Sequence, residues 1–167
     1  MDYGAAYTEL HGNLKYFPGY SIGAHAQRIK ELVDRHNPES LLDYGCGKGY
    51  QYLRRRVHEQ WGGLLPHCYD VGLPHLCERY ERKFDGVICT DMLEHIEEQD
   101  VAGVIADICG YANKFVFCSV DTAQAVNKRN KVLPDGRNPH LTVKPREWWE
   151  PLFEPHRSRI EVIAVYG

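Results

Sequence analysis

The chain has 167 residues, 43% of them hydrophobic, with a formal net charge of −3 and an isoelectric point of about 6.3. These values predict one domain with a real core, and the weak negative charge argues against broad electrostatic binding to nucleic acid. Because no apolar run approaches the roughly 20 residues of a membrane helix and residues 1–10 do not resemble a signal peptide, we expect a cytoplasmic protein without membrane insertion.

The first 37 residues divide into an aromatic arm and a helix. Residues 1–20 are rich in Tyr, Gly and His without a strong period, which fits either a packed arm or a lid that closes over a ligand. Ser21 can cap a helix that continues to about Asn37, because apolar residues recur there at helical spacing. Pro38 marks the end of this helix.

A glycine-rich turn follows the first predicted strand, Leu41 to Tyr44. Its three glycines need no room for a Cβ atom, so the backbone can bend sharply and a ligand can lie against it. A helix is predicted from about Lys48 to Gly62, with Leu53, Val57 and Trp61 on its buried face, and its first N–H groups would face that ligand. The three arginines at 54–56 are predicted to form a solvated face.

The rest of the chain alternates between apolar strands and amphipathic helices. Strands are predicted at residues 64–69, 84–89, 114–120 and 159–166, and helices at about 101–112 and after Pro145. This alternation predicts an α/β fold: a single domain, residues 1–167, with one doubly wound, mostly parallel sheet. Ligands bind such sheets beyond the C-terminal strand ends, where the glycine turn, Asp70, residues 90–95 and Asp121 converge.

Six cysteines are present, and they argue against a structural zinc site. No pair has the C-x-x-C spacing that such sites use, and several cysteines lie in apolar runs, where a reduced thiol packs as a small hydrophobe. The cysteines are Cys46, Cys68, Cys77, Cys89, Cys109 and Cys118.

Two segments carry a specific resemblance. The pattern D-x-G-x-G-x-G at residues 43–49, the acid after the second strand and the segment Phe84 to Ile96 resemble class I S-adenosylmethionine-dependent methyltransferases. The tail, from Leu133-Pro134-Asp135-Gly136 through His140 to Trp148, is similar to the substrate-side segment of ubiquinone-pathway O-methyltransferases. A nicotinamide-binding fingerprint fits less well, because Tyr50 stands at its last glycine position.

The resemblance implies S-adenosylmethionine as the cofactor. The glycine backbone would approach its methionine part, Asp43 would fix the loop and the amino group, and Asp70 would accept hydrogen bonds from the ribose hydroxyls. The implied cofactor-binding residues are Asp43, Gly45, Cys46, Gly47, Gly49, Asp70 and Asp91. Only residues 71–83 separate Asp70 from the next strand, so the third strand of the family is expected to be missing or vestigial.

Two histidines are the candidate catalytic residues. His95 and His140 are singled out because imidazole titrates near neutral pH and can take a proton from an acceptor hydroxyl, although each could instead be structural. An alternative metal set is Asp91, Glu94, His95 and His140. It resembles the E-x-x-E-H…H site of small-RNA 3′-terminal 2′-O-methyltransferases, in which Mg²⁺ or Mn²⁺ would lower the pKa of a ribose hydroxyl. We favour chemistry without a metal, because the same segment is common in family members that have no metal role.

The favoured function is methyl transfer to an oxygen or nitrogen atom of a small-molecule substrate. The segment 121–146 would flank the acceptor and is basic, which allows an acidic group on that substrate. Two alternatives stay open: metal-assisted methyl transfer to RNA or a nucleotide, and an S-adenosylmethionine-binding protein without activity. The sequence does not name the acceptor or the oligomeric state.

Overall fold

Five parallel strands form the centre of the protein, as seen in a computed structural model that describes residues 2–122, 133 and 136–167. The strands are β1 Leu41–Tyr44, β2 His67–Tyr69, β3 Phe84–Thr90, β4 Ala112–Val120 and β5 Glu161–Tyr166. They pair in the order β2-β1-β3-β4-β5, and every pairing is parallel. This confirms the predicted α/β fold on a single parallel sheet.

Helices cover both faces of the sheet. They are α1 Tyr3–His11, α2 Ala26–His36, α3 Tyr50–Leu53, α4 Glu98–Tyr111 and α5 Arg146–Phe153. Side chains of β4 alternate between two buried clusters, as the pleat of a strand requires. Phe115 and Phe117 pack with α2, whereas Val116 and Cys118 pack with α4 and α5. The sheet is therefore flanked on two sides, as in a doubly wound fold.

The predicted loss of the third strand is confirmed. Residues 71–83 contain no strand, so β2, with only three residues, lies at one edge of the sheet. The connection folds back on β2: the amide of Asp70 donates to the carbonyl of Leu76, and the hydroxyl of Tyr80 donates to the carbonyl of Cys68. These bonds pair polar groups at the end and edge of β2 that a neighbouring strand would otherwise pair.

The helix predicted after the glycine turn is shorter than expected. α3 has only four residues; Arg56 then takes a left-handed conformation with φ of 48°, and a 3₁₀ helix runs over Val57–Trp61. Val57 and Trp61 are buried as predicted, but Leu53 is 76% exposed, so its assignment to the buried face is wrong. The left-handed residue rotates the second half of the segment relative to the first.

The N-terminal arm contains a helix that its sequence pattern does not predict. The carboxylate of Asp2 caps α1 by accepting from the amide of Ala5. The buried residues of α1 are Tyr7, Leu10 and His11. Tyr7 and Leu10 pack with Leu133 in a cluster separate from those on the sheet, the Tyr7 hydroxyl donates to the carbonyl of His95 after β3, and His11 lies beside Asp70 after β2. It therefore lies across the C-terminal ends of the strands.

Part of the predicted substrate-side segment lies outside the described residues. The part outside the description consists of residues 123–132 and 134–135. It includes Lys128, Arg129 and Lys131 and two residues of the predicted turn at 134–136. Within the described part of the chain, no helix is long and apolar enough to cross a bilayer.

Candidate functional site

The glycine turn is built from residues that need left-handed backbone angles. Gly45, Gly47 and Gly49 have φ of 81°, 56° and 62°, a region that side chains with a Cβ rarely adopt. A Cβ on Gly45 would clash with the side chain of Met92, and one on Gly47 would lie 2.7 Å from the carbonyl oxygen of Phe17. The turn is therefore closely packed against the segments on either side of it.

Residues 17–19 cross directly over the glycine turn. The carbonyls of Phe17, Pro18 and Gly19 accept hydrogen bonds from the amides of Lys48, Tyr50 and Gln51, at 3.0, 3.1 and 2.9 Å. The prediction that free amides at this helix start would face a ligand is wrong for these three groups, because the arm already binds them. This contact fixes the arm to the turn.

Asp43 lies beneath the turn and is buried. Its Oδ2 atom accepts from the side-chain amide of Gln51 and from the hydroxyl of Tyr52, both at 2.9 Å, which ties β1 to α3. Its Oδ1 atom has no hydrogen-bond partner among the described residues. Burial raises the pKa of Asp43 to about 7, although the two hydrogen bonds act in the opposite direction.

Asp70 joins the end of β2 to the glycine turn. Its Oδ2 atom accepts from the amide of Gly47 at 2.8 Å, and its Oδ1 atom accepts from the amide of Gly72 at 3.0 Å. The Nε2 atom of His11 lies 3.3 Å from the same Oδ1 atom. If a ribose binds at Asp70, as the resemblance implies, its hydroxyls would share the carboxylate oxygens with these protein donors or replace the donors.

Two cavities meet at the glycine turn. The smaller, of about 190 Å³, is lined by Asp70, by Met92 and by aromatic side chains that include Tyr44 and Tyr69. The larger, of about 490 Å³, contains Glu94. The two cavities share a wall formed by Phe17, Gly45, Gly47, Asp91 and His95. Of the predicted cofactor-binding residues, Asp43, Cys46 and Gly49 line neither of these cavities.

The larger cavity brings together a carboxylate and two imidazoles. One potential ligand atom from each of Glu94, His95 and His140 lies within 4.8 Å of the others. The ring centroids of the two histidines are 4.7 Å apart, and the His95 Nδ1 atom lies 2.9 Å from the carbonyl oxygen of Pro139. If Nδ1 carries the proton and donates to that carbonyl, Nε2 is the ring nitrogen whose lone pair can bind a metal or accept a proton.

Thr142 brings His140 to this group. Its amide donates to the carbonyl of Glu94 at 3.0 Å, and its hydroxyl donates to the carbonyl of Ile96 at 2.6 Å. These two bonds hold the segment that contains His140 beside the 3₁₀ turn Leu93–His95, which follows β3. The His140 Nδ1 atom also lies 3.9 Å from the Oδ2 atom of Asp121.

Glu94 is the least satisfied polar side chain of the group. It is 1% exposed, and neither of its carboxylate oxygens has a hydrogen-bond partner among the described residues. Burial, which is the largest cause, and the nearby Asp91 carboxylate raise the pKa of Glu94 well above its ordinary value. A buried carboxylate without partners is costly, so this side chain is suited to bind a cation.

Asp91 is not one of the three residues whose potential ligand atoms lie within 4.8 Å of one another. It has a left-handed φ of 49°, and its Oδ1 atom accepts from the hydroxyl of Ser119 at 2.6 Å. Backbone strain of this kind often occurs at functional sites. The four-residue metal set predicted from the sequence is thus brought together in part, with Asp91 placed in the wall between the cavities.

Other residues of the site carry no sequence signal of their own. Phe17 and His11 come from an arm without periodicity, and Ser119 lies inside a buried strand. Tyr20 and Arg55 line the larger cavity, although the arginine run predicted only a solvated face. These residues reach the site only because segments that are distant in the sequence come together in the fold.

Comparisons with known proteins give one informative similarity. No family model matches this chain. The chain is 24% identical over 116 residues to a small RNA 2′-O-methyltransferase of Rattus norvegicus. The match covers 51% of this chain and 29% of the relative, so the chain spans well under half of the relative's length.

Proposed function

We propose that this chain is an S-adenosylmethionine-dependent methyltransferase that acts on a ribose hydroxyl of RNA or of a nucleotide. The observation that carries the proposal is the group Glu94, His95 and His140. This group lines the larger cavity, whose wall toward the smaller cavity includes glycines of the glycine turn. Similarity to a methyltransferase supports methyl transfer in general, and the RNA substrate in that relative's name favours RNA over an unrelated small molecule.

The smaller cavity suits the cofactor in its chemistry. S-Adenosylmethionine supplies a methyl group on a positively charged sulfur, which a nucleophile can displace. The aromatic rings of Tyr44 and Tyr69 can attract such a charge, and the carboxylate of Asp70 can accept hydrogen bonds from ribose hydroxyls. Phe17 in the shared wall would help to exclude water from the point where the two ligands meet.

The larger cavity would receive the acceptor hydroxyl. The unpartnered carboxylate of Glu94 and the imidazoles of His95 and His140 fit a divalent cation such as Mg²⁺ or Mn²⁺. A bound cation would lower the pKa of a coordinated hydroxyl and so favour its nucleophilic form. Without a metal, the imidazole of His95 could instead accept the hydroxyl proton, so the proposal needs a test that separates the two roles.

Binding and transfer assays test the proposal on the intact chain. We expect calorimetric titration to give binding heat for S-adenosylhomocysteine. We also expect labelled methyl transfer to a short single-stranded RNA that stops on chelation and returns with Mn²⁺. His140→Ala should lower the transfer rate about a hundredfold or more without weakening S-adenosylhomocysteine binding. His75→Ala, which changes an exposed loop histidine, is the matched control.

Each failure has a separate meaning. Absence of cofactor binding would overturn the methyltransferase assignment, whereas binding without transfer to any RNA, nucleotide or small hydroxyl acceptor would leave a non-catalytic binder. A rate of methyl transfer that is unchanged both by chelation and by His140→Ala would exclude a role for the metal. Transfer only to small acceptors would overturn the ribose part of the proposal.

A further inference from the structure

Two consecutive arginines near the larger cavity are held on tyrosine rings. The Arg54 guanidinium lies 4.0 Å from the ring centroid of Tyr50, and the Arg55 guanidinium lies 4.0 Å from that of Tyr20. The two tyrosine rings are themselves 6.2 Å apart. The four side chains form a continuous series, which we call the Arg–Tyr wall.

The arginines of the Arg–Tyr wall have no carboxylate partner among the described residues. Their neighbour Arg56, by contrast, forms an ion pair with Glu59 at 2.5 Å. Other arginines that pair with carboxylates are Arg35, Arg79, Arg137, Arg146 and Arg157. Arg54 and Arg55 therefore keep their positive charge available in a protein whose net charge is negative.

The position of the wall links this charge to the proposed chemistry. Tyr20 and Arg55 line the larger cavity, the same cavity that contains Glu94, His95 and His140. An acceptor that placed a hydroxyl beside the three-residue group could extend along this cavity to the wall. A negatively charged part of the acceptor would meet Arg55 there.

The chemistry of the wall favours a phosphate. A guanidinium stacked on an aromatic ring keeps its N–H edge free, and that planar edge matches the oxygens of a phosphate. Interleaved aromatic and arginine side chains also suit single-stranded nucleic acid, which offers both phosphates and stackable bases. Because the whole chain is weakly acidic, RNA binding needs such a local basic surface.

We propose that the Arg–Tyr wall binds the phosphodiester next to the nucleotide whose ribose hydroxyl accepts the methyl group. Arg55 would make the main phosphate contact, with Tyr20 holding its guanidinium in place. This inference rests on the proposed function and adds the feature that would distinguish an RNA strand from a free nucleoside. Arg54 and Tyr50 would support the next part of the strand.

Fluorescence anisotropy with a labelled, short single-stranded RNA of mixed sequence tests this contact on the intact chain. We expect Arg55→Gln to weaken binding roughly tenfold and to reduce the slope of log affinity against log salt by about one. Arg56→Gln removes an equal charge at the neighbouring residue, where the charge already takes part in an ion pair. We therefore expect it to change neither the affinity nor the salt slope appreciably. Tyr20→Leu should weaken binding in the same direction as Arg55→Gln.

A neutral methylphosphonate placed at single linkages near the acceptor end identifies the phosphate involved. At one linkage, the substitution should weaken binding to the wild type but not weaken it further in Arg55→Gln, since both changes remove the same contact. Equal effects of Arg55→Gln and Arg56→Gln, or additive losses at every linkage, would overturn the inference. S-Adenosylhomocysteine binding is measured on every variant, so failure of the wall is distinguishable from failure of the methyltransferase assignment.

Discussion

A single buried carboxylate ties the glycine turn to the helix that follows it. Asp43 accepts from both Gln51 and Tyr52 through one oxygen, while its other oxygen has no partner among the described residues. The hydrogen bonds favour the charged form and burial opposes it, and burial dominates. The carboxylate is therefore poised to change its protonation near neutral pH.

Asp43 should make the protein less stable as pH rises from about 4 to about 7. Its folded pKa of about 7 exceeds the ordinary 3.8, so the folded state holds an extra proton in this window and loses that advantage as pH increases. The effect is at most about 4 kcal/mol. Urea unfolding at about pH 5 and about pH 8 should show a smaller pH dependence for Asp43→Asn than for the wild type. Asp34→Asn, at an exposed site, should keep the wild-type dependence. An unchanged dependence in Asp43→Asn would contradict the assignment.

Gly19 offers a test of how closely the arm packs on the glycine turn. It has φ of 69°, and an added Cβ would clash with the carbonyl of Cys46 and lie 2.8 Å from the amide nitrogen of Gly49. Gly19→Ala should lower the free energy of unfolding by about 2 kcal/mol or more, through strain and steric conflict together.

Gly62→Ala is the matched control for Gly19→Ala. Gly62 has a comparable φ of 85°, but an added Cβ would meet nothing within 4 Å, so only the backbone strain of about 1 kcal/mol is expected. Urea unfolding and titration with S-adenosylhomocysteine should separate the two variants, with weaker ligand binding for Gly19→Ala alone. Equal losses of stability and equal ligand binding in the two variants would mean that the arm moves away from the added Cβ at little cost in free energy.

At the scale of elements, α1 is held over the site by a few hydrogen bonds. The hydroxyl of Tyr7 lies 3.1 Å from the carbonyl of His95 and 3.2 Å from that of Pro139, and the hydroxyl of Tyr3 donates to Asp100 at 2.7 Å. The apolar side chains that α1 buries belong to a small cluster separate from the two clusters on the sheet, so α1 can open locally without global unfolding. This arrangement is compatible with the lid, one of the two alternatives that the sequence allows for the arm, and the lid stays a prediction.

Removing one anchor should loosen α1 without unfolding the rest. Tyr7→Phe deletes the hydroxyl that reaches both carbonyls, so we expect about fivefold faster hydrogen exchange across residues 3–11. Tyr50→Phe removes a hydroxyl that has no hydrogen-bond partner among the described residues and should leave that exchange unchanged. Exchange is measured by mass spectrometry, and added S-adenosylhomocysteine should slow it. Equal exchange in Tyr7→Phe and wild type would exclude this anchoring role.

Sequence patterns predicted the elements whose stability comes from buried apolar runs. β3 and β4 match their predictions within two residues, because both strands are buried on two faces and read as continuous apolar segments. α1 was not predicted, since its burial depends on contacts with segments distant in the sequence, around Asp70, His95 and Leu133, rather than on an amphipathic period. The break at Arg56 was also missed, because a left-handed residue leaves no mark on apolar spacing.

The candidate site could be predicted in part for a related reason. Glu94 and His95 follow β3 directly, so strand topology alone places them at the C-terminal edge of the sheet. The approach of His140 needs the hydrogen bonds of Thr142, which join segments more than 40 residues apart. The Arg–Tyr wall likewise depends on the stacking of Arg55 on Tyr20, two residues distant in the sequence, which no local pattern encodes.

At the scale of the whole molecule, the sheet has two unequal margins. β2 contributes three residues at one margin, where the following connection folds back on it. β5 forms the opposite margin with six residues, Glu-Val-Ile-Ala-Val-Tyr, most of them partly accessible. Short strands resist lateral pairing with other chains, whereas longer apolar ones invite it. Any enlargement of this sheet by a further strand, from a neighbouring polypeptide or another copy, would thus extend from β5.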